Sequence, residues 1–225
     1  AVNGNRIGRR HSAAMSPFRY PGGKAFFADD LAKVIQALPA GITTYLEPYA
    51  GGAGAAIRLL GSDIVDRVYL NDADIRVYHA WRAMIDENDR FLAAITDTPV
   101  DLETWYNQKE IVDDPSLARD GFELGFATFF LNRTNRSGIV RGAGPIGGYK
   151  QDGDWKLDVR FNRKAMIERV QWIGNNSDRF EISNENGLSF IKSSSNKIDL
   201  HRSLYFIDPP YVSAGSRLYL NGMQE

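Results

Sequence analysis

The run Asp208-Pro209-Pro210-Tyr211 places an acid, two rigid carbonyls and an aromatic ring directly after the apolar residues 204–207. An exocyclic amino group on a purine is a poor nucleophile because its lone pair is delocalised into the ring. A carboxylate and a fixed carbonyl that both accept its N–H bonds draw the nitrogen toward tetrahedral geometry and localise that pair. Asp208 and the carbonyl of Pro209 meet this demand, and the two prolines leave no backbone donor to satisfy. Tyr211 offers a face on which an extruded base can stack. The same run also suits a strand that simply ends in a proline turn.

Three other runs carry chemistry. In Glu47-Pro48-Tyr49-Ala50-Gly51-Gly52-Ala53-Gly54 the glycines follow a short apolar stretch. They allow the backbone to approach a ligand closely and to turn into a helix. This is not a dinucleotide fingerprint, since Ile57 stands where the third glycine would fall. Asn71-Asp72 closes the next apolar stretch, about 20 residues on, where a carboxylate typically accepts both hydroxyls of a ribose. Asp72 or Asp74 can equally cap a helix that starts at Ile75. In Phe18-Arg19-Tyr20-Pro21-Gly22-Gly23-Lys24, Phe18 and the following Ala25 exclude a triphosphate loop, which needs glycine and Ser or Thr there. The Gly-Gly-Lys remainder can still cradle a carboxylate, with Lys24 as its partner.

These runs need a scaffold. The patterning predicts a helix at 29–38, a strand at 43–48, a glycine turn at 51–54 and a helix at 55–60 closed by Gly61. A strand at 67–71 and a helix at 75–85 follow. That alternation predicts an α/β fold with a parallel sheet, whose ligands bind at the carboxyl ends of the strands. The rhythm breaks at Asp86. Residues 122–131 read as a helix, 132–154 as a polar glycine-rich stretch and 163–173 as a helix. Strands return at 180–183 and 203–208. The expected division is a leader at 1–14, disordered and holding Arg6, Arg9, Arg10 and His11, a catalytic domain at 15–85 and 173–225, and an inserted, mainly helical subdomain at 86–172.

Composition narrows the functional classes. The 225 residues include no cysteine and three histidines, which leaves neither thiolates nor a histidine cage for a metal. No apolar run is long enough for a membrane span, and the first residues lack a signal peptide's apolar core, so a cytoplasmic setting is expected. Net charge is -1, yet residues 133–169 hold nine basic and four acidic residues. An excess of that kind meets phosphates, or is merely a solvated surface.

Taken in order, Gly22-Gly23-Lys24, Glu47-Pro48-Tyr49-Ala50-Gly51, Asp72 and Asp208-Pro209-Pro210-Tyr211 resemble the motifs of the Dam-like adenine-specific DNA methyltransferases. Leu131-Asn132-Arg133-Thr134 is similar to a signature of that family's target-recognition insert. The resemblance covers residues 17–211. It implies a Rossmann-like methyltransferase sheet with the insert as target-recognition subdomain. It implies transfer of a methyl from S-adenosylmethionine to the exocyclic amino group of adenine in duplex DNA, with base flipping and no metal. Tyr20, Pro21, Gly22, Gly23 and Lys24 would then line the cofactor pocket. Glu47, Pro48, Tyr49, Gly51 and Gly52 would lie beneath the methionine part, Asp72 would hold the ribose, and Asp208 would border both cofactor and adenine. Asp208, Pro209, Pro210 and Tyr211 would be catalytic. Arg133, Asn135, Arg136, Ser137 and Arg141 would meet DNA, with Arg141 in the place of a base-reading arginine.

The chain departs from the family pattern at several positions. Tyr49 replaces a phenylalanine. Asn186-Gly187 stands where an acid usually meets the cofactor's adenine, which makes Asn186 the candidate there. Arg136 and Ser137 replace the aromatic residue and asparagine of the family's namesake, so GATC is not taken as the target. The sequence ends 14 residues after Tyr211, where relatives continue. The sheet is therefore expected to be incomplete, and its edge to be covered by further chain, by a partner or by self-association. Two other readings fit the residues: transfer to an amino group of RNA or protein, and a nucleic-acid-binding relative without turnover.

Overall fold

The computed structural model describes residues 13–19 and 24–209, with the backbone alone at Lys24. Four strands, β1 (Thr44–Glu47), β2 (Arg67–Asn71), β3 (Phe180–Ser183) and β4 (Ser203–Tyr205), form one sheet. All its pairings are parallel, in the order β3-β2-β1-β4. Leu46 lies opposite both Tyr69 and Tyr205, and Asn71 opposite Ser183. The interior strand β1 is buried over its last three residues, as a strand covered on both faces must be. The ladder continues past β4, where the Phe206 N–H donates to Leu46 O at 2.8 Å. Asp208 thereby emerges beside the end of β1.

Helices α1 (Ala28–Ala37) and α2 (Gly54–Gly61) flank β1 in sequence. Helix α8 (Gly187–Ser195) crosses from β3 to β4. Between β2 and β3 run α3 (Ile75–Asp86), α4 (Asn88–Asp97), α5 (Leu102–Asp113), α6 (Gly121–Thr134) and α7 (Arg163–Asn175). Their starts carry side-chain caps where the sequence supplies them. Asp74, Asp101, Asp120 and Asn162 accept from the N–H groups of Arg76, Thr104, Glu123 and Ala165.

Helix α6 has apolar residues on every side, so it is a core helix rather than a surface one. It packs along α3 and α5. Phe91 of α4 meets the rings of Phe122, Phe126 and Phe129 edge-on at 5.9, 5.4 and 5.2 Å. One buried core runs from Ile57 and Leu60 in α2 through Trp81 and Met84 in α3 to Phe129 and Phe130 in α6. The sheet and the inserted helices are thus joined by shared apolar packing. Ala13 and Ala14, placed in the expected leader, join it too: Ala14 is buried, and a Cβ at Gly61 would meet its own Cβ at 2.1 Å. Residues 1–12 lie outside the described residues.

The expected strands and the helices at 29–38, 55–60, 75–85 and 163–173 are present within a few residues. The structure adds α4, α5 and α8, which the patterning did not resolve. Helix α5 buries only Trp105 and Val112, too few apolar contacts to write a clear period into the sequence. The polar stretch expected from Asn132 begins later, because α6 runs on to Thr134. Asn132, Arg133 and Thr134 form the last turn of a buried helix, and that placement decides what they do.

Candidate active site and recognition turn

The carboxyl ends of the strands gather the predicted chemistry. Glu47 closes β1 and is fully buried. Asp72 follows β2, Asn184 to Asn186 follow β3, and Asp208 and Pro209 follow β4. Beneath them Asn71 is fully buried with its whole amide engaged. Its Nδ2 donates to Pro48 O and Glu185 O, both at 2.9 Å, and its Oδ1 accepts from Ser183 Oγ and the Glu185 N–H, also at 2.9 Å. One side chain therefore ties the loop after β1 to the loop after β3.

The glycine turn is held from both sides. The Gly51 N–H donates to Asp72 Oδ2 at 2.9 Å, and Gly51 O accepts from Trp81 Nε1 at 2.9 Å. Asp72 Oδ1 accepts from the Asp74 N–H at 2.9 Å. Asp72 thus positions the turn, while Asp74, not Asp72, caps α3. The left-handed positions of the turn are Gly51 (φ 49°) and Ala53 (φ 46°). Gly52 instead accepts from Ser16 Oγ at 2.5 Å.

Tyr49 lies against the start of α8. A Cβ at Gly187 would come within 2.5 Å of the Tyr49 ring, so glycine there permits the contact. Asn186 caps α8 through Oδ1, which accepts from the Leu188 N–H at 3.0 Å. Tyr45 sits below, in β1. Burial raises its phenol far above the ordinary range, and the negative charges of Glu47 and Asp208 push it further. Tyr45 is therefore a neutral group under two acids.

The segment leading to Tyr20 is pinned along its length. Ser16 bonds Gly52, Phe18 packs on Trp81 with ring centroids 5.4 Å apart, and the Arg19 backbone is clamped by Asn132. Asn132 Oδ1 accepts from the Arg19 N–H and its Nδ2 donates to Arg19 O, both at 2.7 Å, while Nδ2 also reaches Gly138 O at 2.8 Å. Tyr20, Pro21, Gly22, Gly23, the Lys24 side chain, Pro210 and Tyr211 lie outside the described residues.

The expected DNA-facing residues separate into two sets. Arg133 is 7% exposed. Its Nε and Nη2 donate to Arg160 O at 2.8 and 2.5 Å. Asn135 is buried, accepts from Trp105 Nε1 at 2.7 Å and donates to Ile139 O at 2.8 Å. Both have partners inside the protein. Arg136, Ser137 and Arg141 are exposed on the turn that follows. Arg141 lies near the end of β2, where burial raises the Asp74 carboxyl, and the charges of Arg76 and Arg141 oppose that rise. Sequence reasoning missed Ser16, Trp81 and the anchoring roles of Asn71 and Asn132. An asparagine beside a motif acid was the one signal available.

A parallel sheet whose polar loops converge at one end is the architecture of an α/β enzyme that binds its ligand there. Among the described residues no acid–histidine group is arranged to hold a metal, and no helix is long and apolar enough to cross a membrane. The family model for D12 class N6 adenine-specific DNA methyltransferases matches residues 20–221, and the chain belongs to that family. No curated protein matches it. The protein is an adenine-specific DNA methyltransferase, and the methyl donor of its family is S-adenosylmethionine.

Proposed function

We propose that S-adenosylmethionine binds across the carboxyl ends of β1, β2 and β3, and that an adenine turned out of duplex DNA meets Asp208 beside it. The observation that carries this reading is the common position of Glu47, Asp72 and Asp208 at the ends of adjacent strands, with the Gly51 turn bonded to Asp72. The residues present suit the cofactor. The loop of Tyr49 and Gly51 lies between two acids, and Gly187 allows the Tyr49 ring to close that side. Asp72 would take the ribose hydroxyls, and Glu47, Pro48, Tyr49, Gly51 and Gly52 would border the methionine part. Tyr20, Pro21, Gly22, Gly23 and Lys24 would complete the pocket, and Asn186 would edge the adenine of the cofactor.

When bound, the cofactor supplies an electrophilic methyl on a sulfonium. The chain's own part is to orient and to desolvate. Asp208 and the Pro209 carbonyl accept the N–H bonds of the target amino group, and Pro210 and Tyr211 complete that wall. Holding the nitrogen in line, in a site closed to water, accounts for most of the acceleration. Arg136, Ser137 and Arg141 face the DNA. Arg133 and Asn135 support that surface from within. Residues 86–172 act as the recognition insert.

Tritium transfer from labelled cofactor to mixed-sequence duplex DNA, RNA and protein tests the reading. Label is expected in adenine of duplex DNA. Label confined to RNA or protein, or cofactor binding with no transfer at all, would overturn it.

A further inference from the structure

Between the turn Arg136–Gly138 and the loop beyond it lies a cleft of about 560 Å3, open to solvent. That is within the roughly 300–1,000 Å3 of ligand clefts. Arg19, Arg136 and Arg160 line it, together with Trp155 and the acid Asp154. Glu47, Asp72 and Asp208 do not, so it is separate from the strand-end site.

The arginines reach this cleft from fixed backbone. Asn132 clamps both main-chain groups of Arg19, and Arg133 holds the carbonyl of Arg160. The Arg136 N–H donates to Gly144 O at 3.1 Å. The loop that carries Trp155 is tied by Gln151, whose Nε2 donates to Ile146 O and Gly148 O at 2.7 and 2.6 Å and whose Oε1 accepts from the Leu157 N–H at 2.8 Å. Trp155 is 66% exposed on this pinned loop. A large ring left mostly in water offers a face to a flat partner.

The charge is also unbalanced. Burial and the like charges of Arg169, Arg19 and Arg160 bring the Arg133 guanidinium down to about 10. Burial and Arg160 lower Arg19 in the same way. Among the described residues Arg19, Arg133, Arg136 and Arg160 form no ion pair with a carboxylate. Arg19 Nη1 donates to Asn135 O and Arg136 Nε to Pro145 O, both at 3.4 Å, which leaves each guanidinium further donors. Three arginines along one cleft suit phosphate, with which guanidiniums form forked, charge-assisted bonds. The neighbouring indole adds a stacking face, which a bare anion does not need but a nucleotide does.

We propose that this cleft is a second nucleic-acid subsite. It takes a nucleotide of the bound DNA other than the one methylated, with its phosphate among Arg19, Arg136 and Arg160 and its base against Trp155. This rests on the chain acting on DNA, and it adds a contact for which neither the strand-end site nor Arg141 accounts.

Tryptophan emission tests it, because Trp81, Trp105 and Trp172 are buried and Trp155 is not. Duplex oligonucleotide is expected to quench the parent protein and to leave Trp155→Phe unquenched. Trp155→Ala and Arg160→Ala are each expected to weaken DNA binding about tenfold and to raise KM for DNA, with kcat at saturating DNA within about twofold. Arg160→Ala should also lower the slope of log K against log salt by about 0.9, the value of one phosphate contact. Inorganic phosphate alone should not quench. If it quenches as DNA does, the cleft is a simple anion site and the proposal fails. Variants that bind like the parent, in a protein that still methylates DNA, overturn the subsite and leave the family reading intact. A parent that methylates no DNA overturns that reading instead, and quenching of Trp155 by DNA still decides the cleft.

Discussion

The strand ends and the last turn of α6 both rest on a fully buried asparagine, and they differ in where the neighbouring functional groups come from. At the strand ends Asn71 anchors the loops, and the acid it supports, Asp72, is the next residue. In the insert Asn132 anchors Arg19, 113 positions away, and Arg133 anchors Arg160, 27 positions away. A strand places its own terminal residue at the ligand. A helix buried on all sides cannot, so its polar turn is spent inward and the surface is supplied by distant segments. Similar residue types therefore tie neighbouring loops together in one region and distant backbone in the other.

The largest expected effect comes from removing Asp208, the acid proposed to meet the target nitrogen. Asp208→Ala should lower methyl transfer at least about a hundredfold, the scale of losing one preorganised polar contact, with the unfolding midpoint unchanged. Transfer near the parent rate would remove Asp208 from the chemistry and break the contrast at its stronger end. At the other end, Arg133→Ala should destabilise the fold by about 3 kcal/mol in urea unfolding, because a buried side chain and its two bonds to Arg160 O are lost. Arg136→Ala, on the exposed turn, should change stability by less than about 0.5 kcal/mol. Equal destabilisation by the two would erase the distinction between anchor and surface.

Asp72→Ala sharpens the comparison, since this acid both bonds the Gly51 turn and faces the proposed ribose. Cofactor affinity measured by calorimetry should fall tenfold or more, at roughly 1.5–3 kcal/mol per charge-assisted bond. An unchanged dissociation constant would leave Asp72 a loop anchor like Asn71. Arg141→Ala separates base reading from phosphate contact on the exposed turn. Relaxed preference at one base pair, about 1–3 kcal/mol, is expected in methylation profiles of a random duplex library. A uniform loss with an unaltered profile would mark phosphate contact instead. The smallest effect is Ala53→Gly. Ala53 holds φ at 46°, a left-handed conformation that costs a side chain about 1 kcal/mol. The substitution should raise thermal stability slightly, and a lowered midpoint would show that the alanine methyl packs favourably enough to outweigh the strain.

The strand-end site was legible because its parts are short runs in fixed order. Asp208 after an apolar strand and Asp72 after another state their position in any parallel sheet, and the bounds of β2 and β3 follow directly from their apolar residues. The turn after α6 was legible only as a basic, glycine-containing stretch. Arg133 and Asn135 read as surface residues because charge and polarity usually mark surface, and nothing in their neighbours says that α6 continues through Thr134 into the core.

The sequence by itself determined the parallel sheet, the family and the acids at the strand ends, because local patterning and strand direction are sufficient to place them. The tertiary structure alone decided which polar residues are buried anchors and which stay exposed. That division depends on burial and on partners more than a hundred positions apart, as Asn132 is from Arg19, and no local pattern encodes a hydrogen bond of that range.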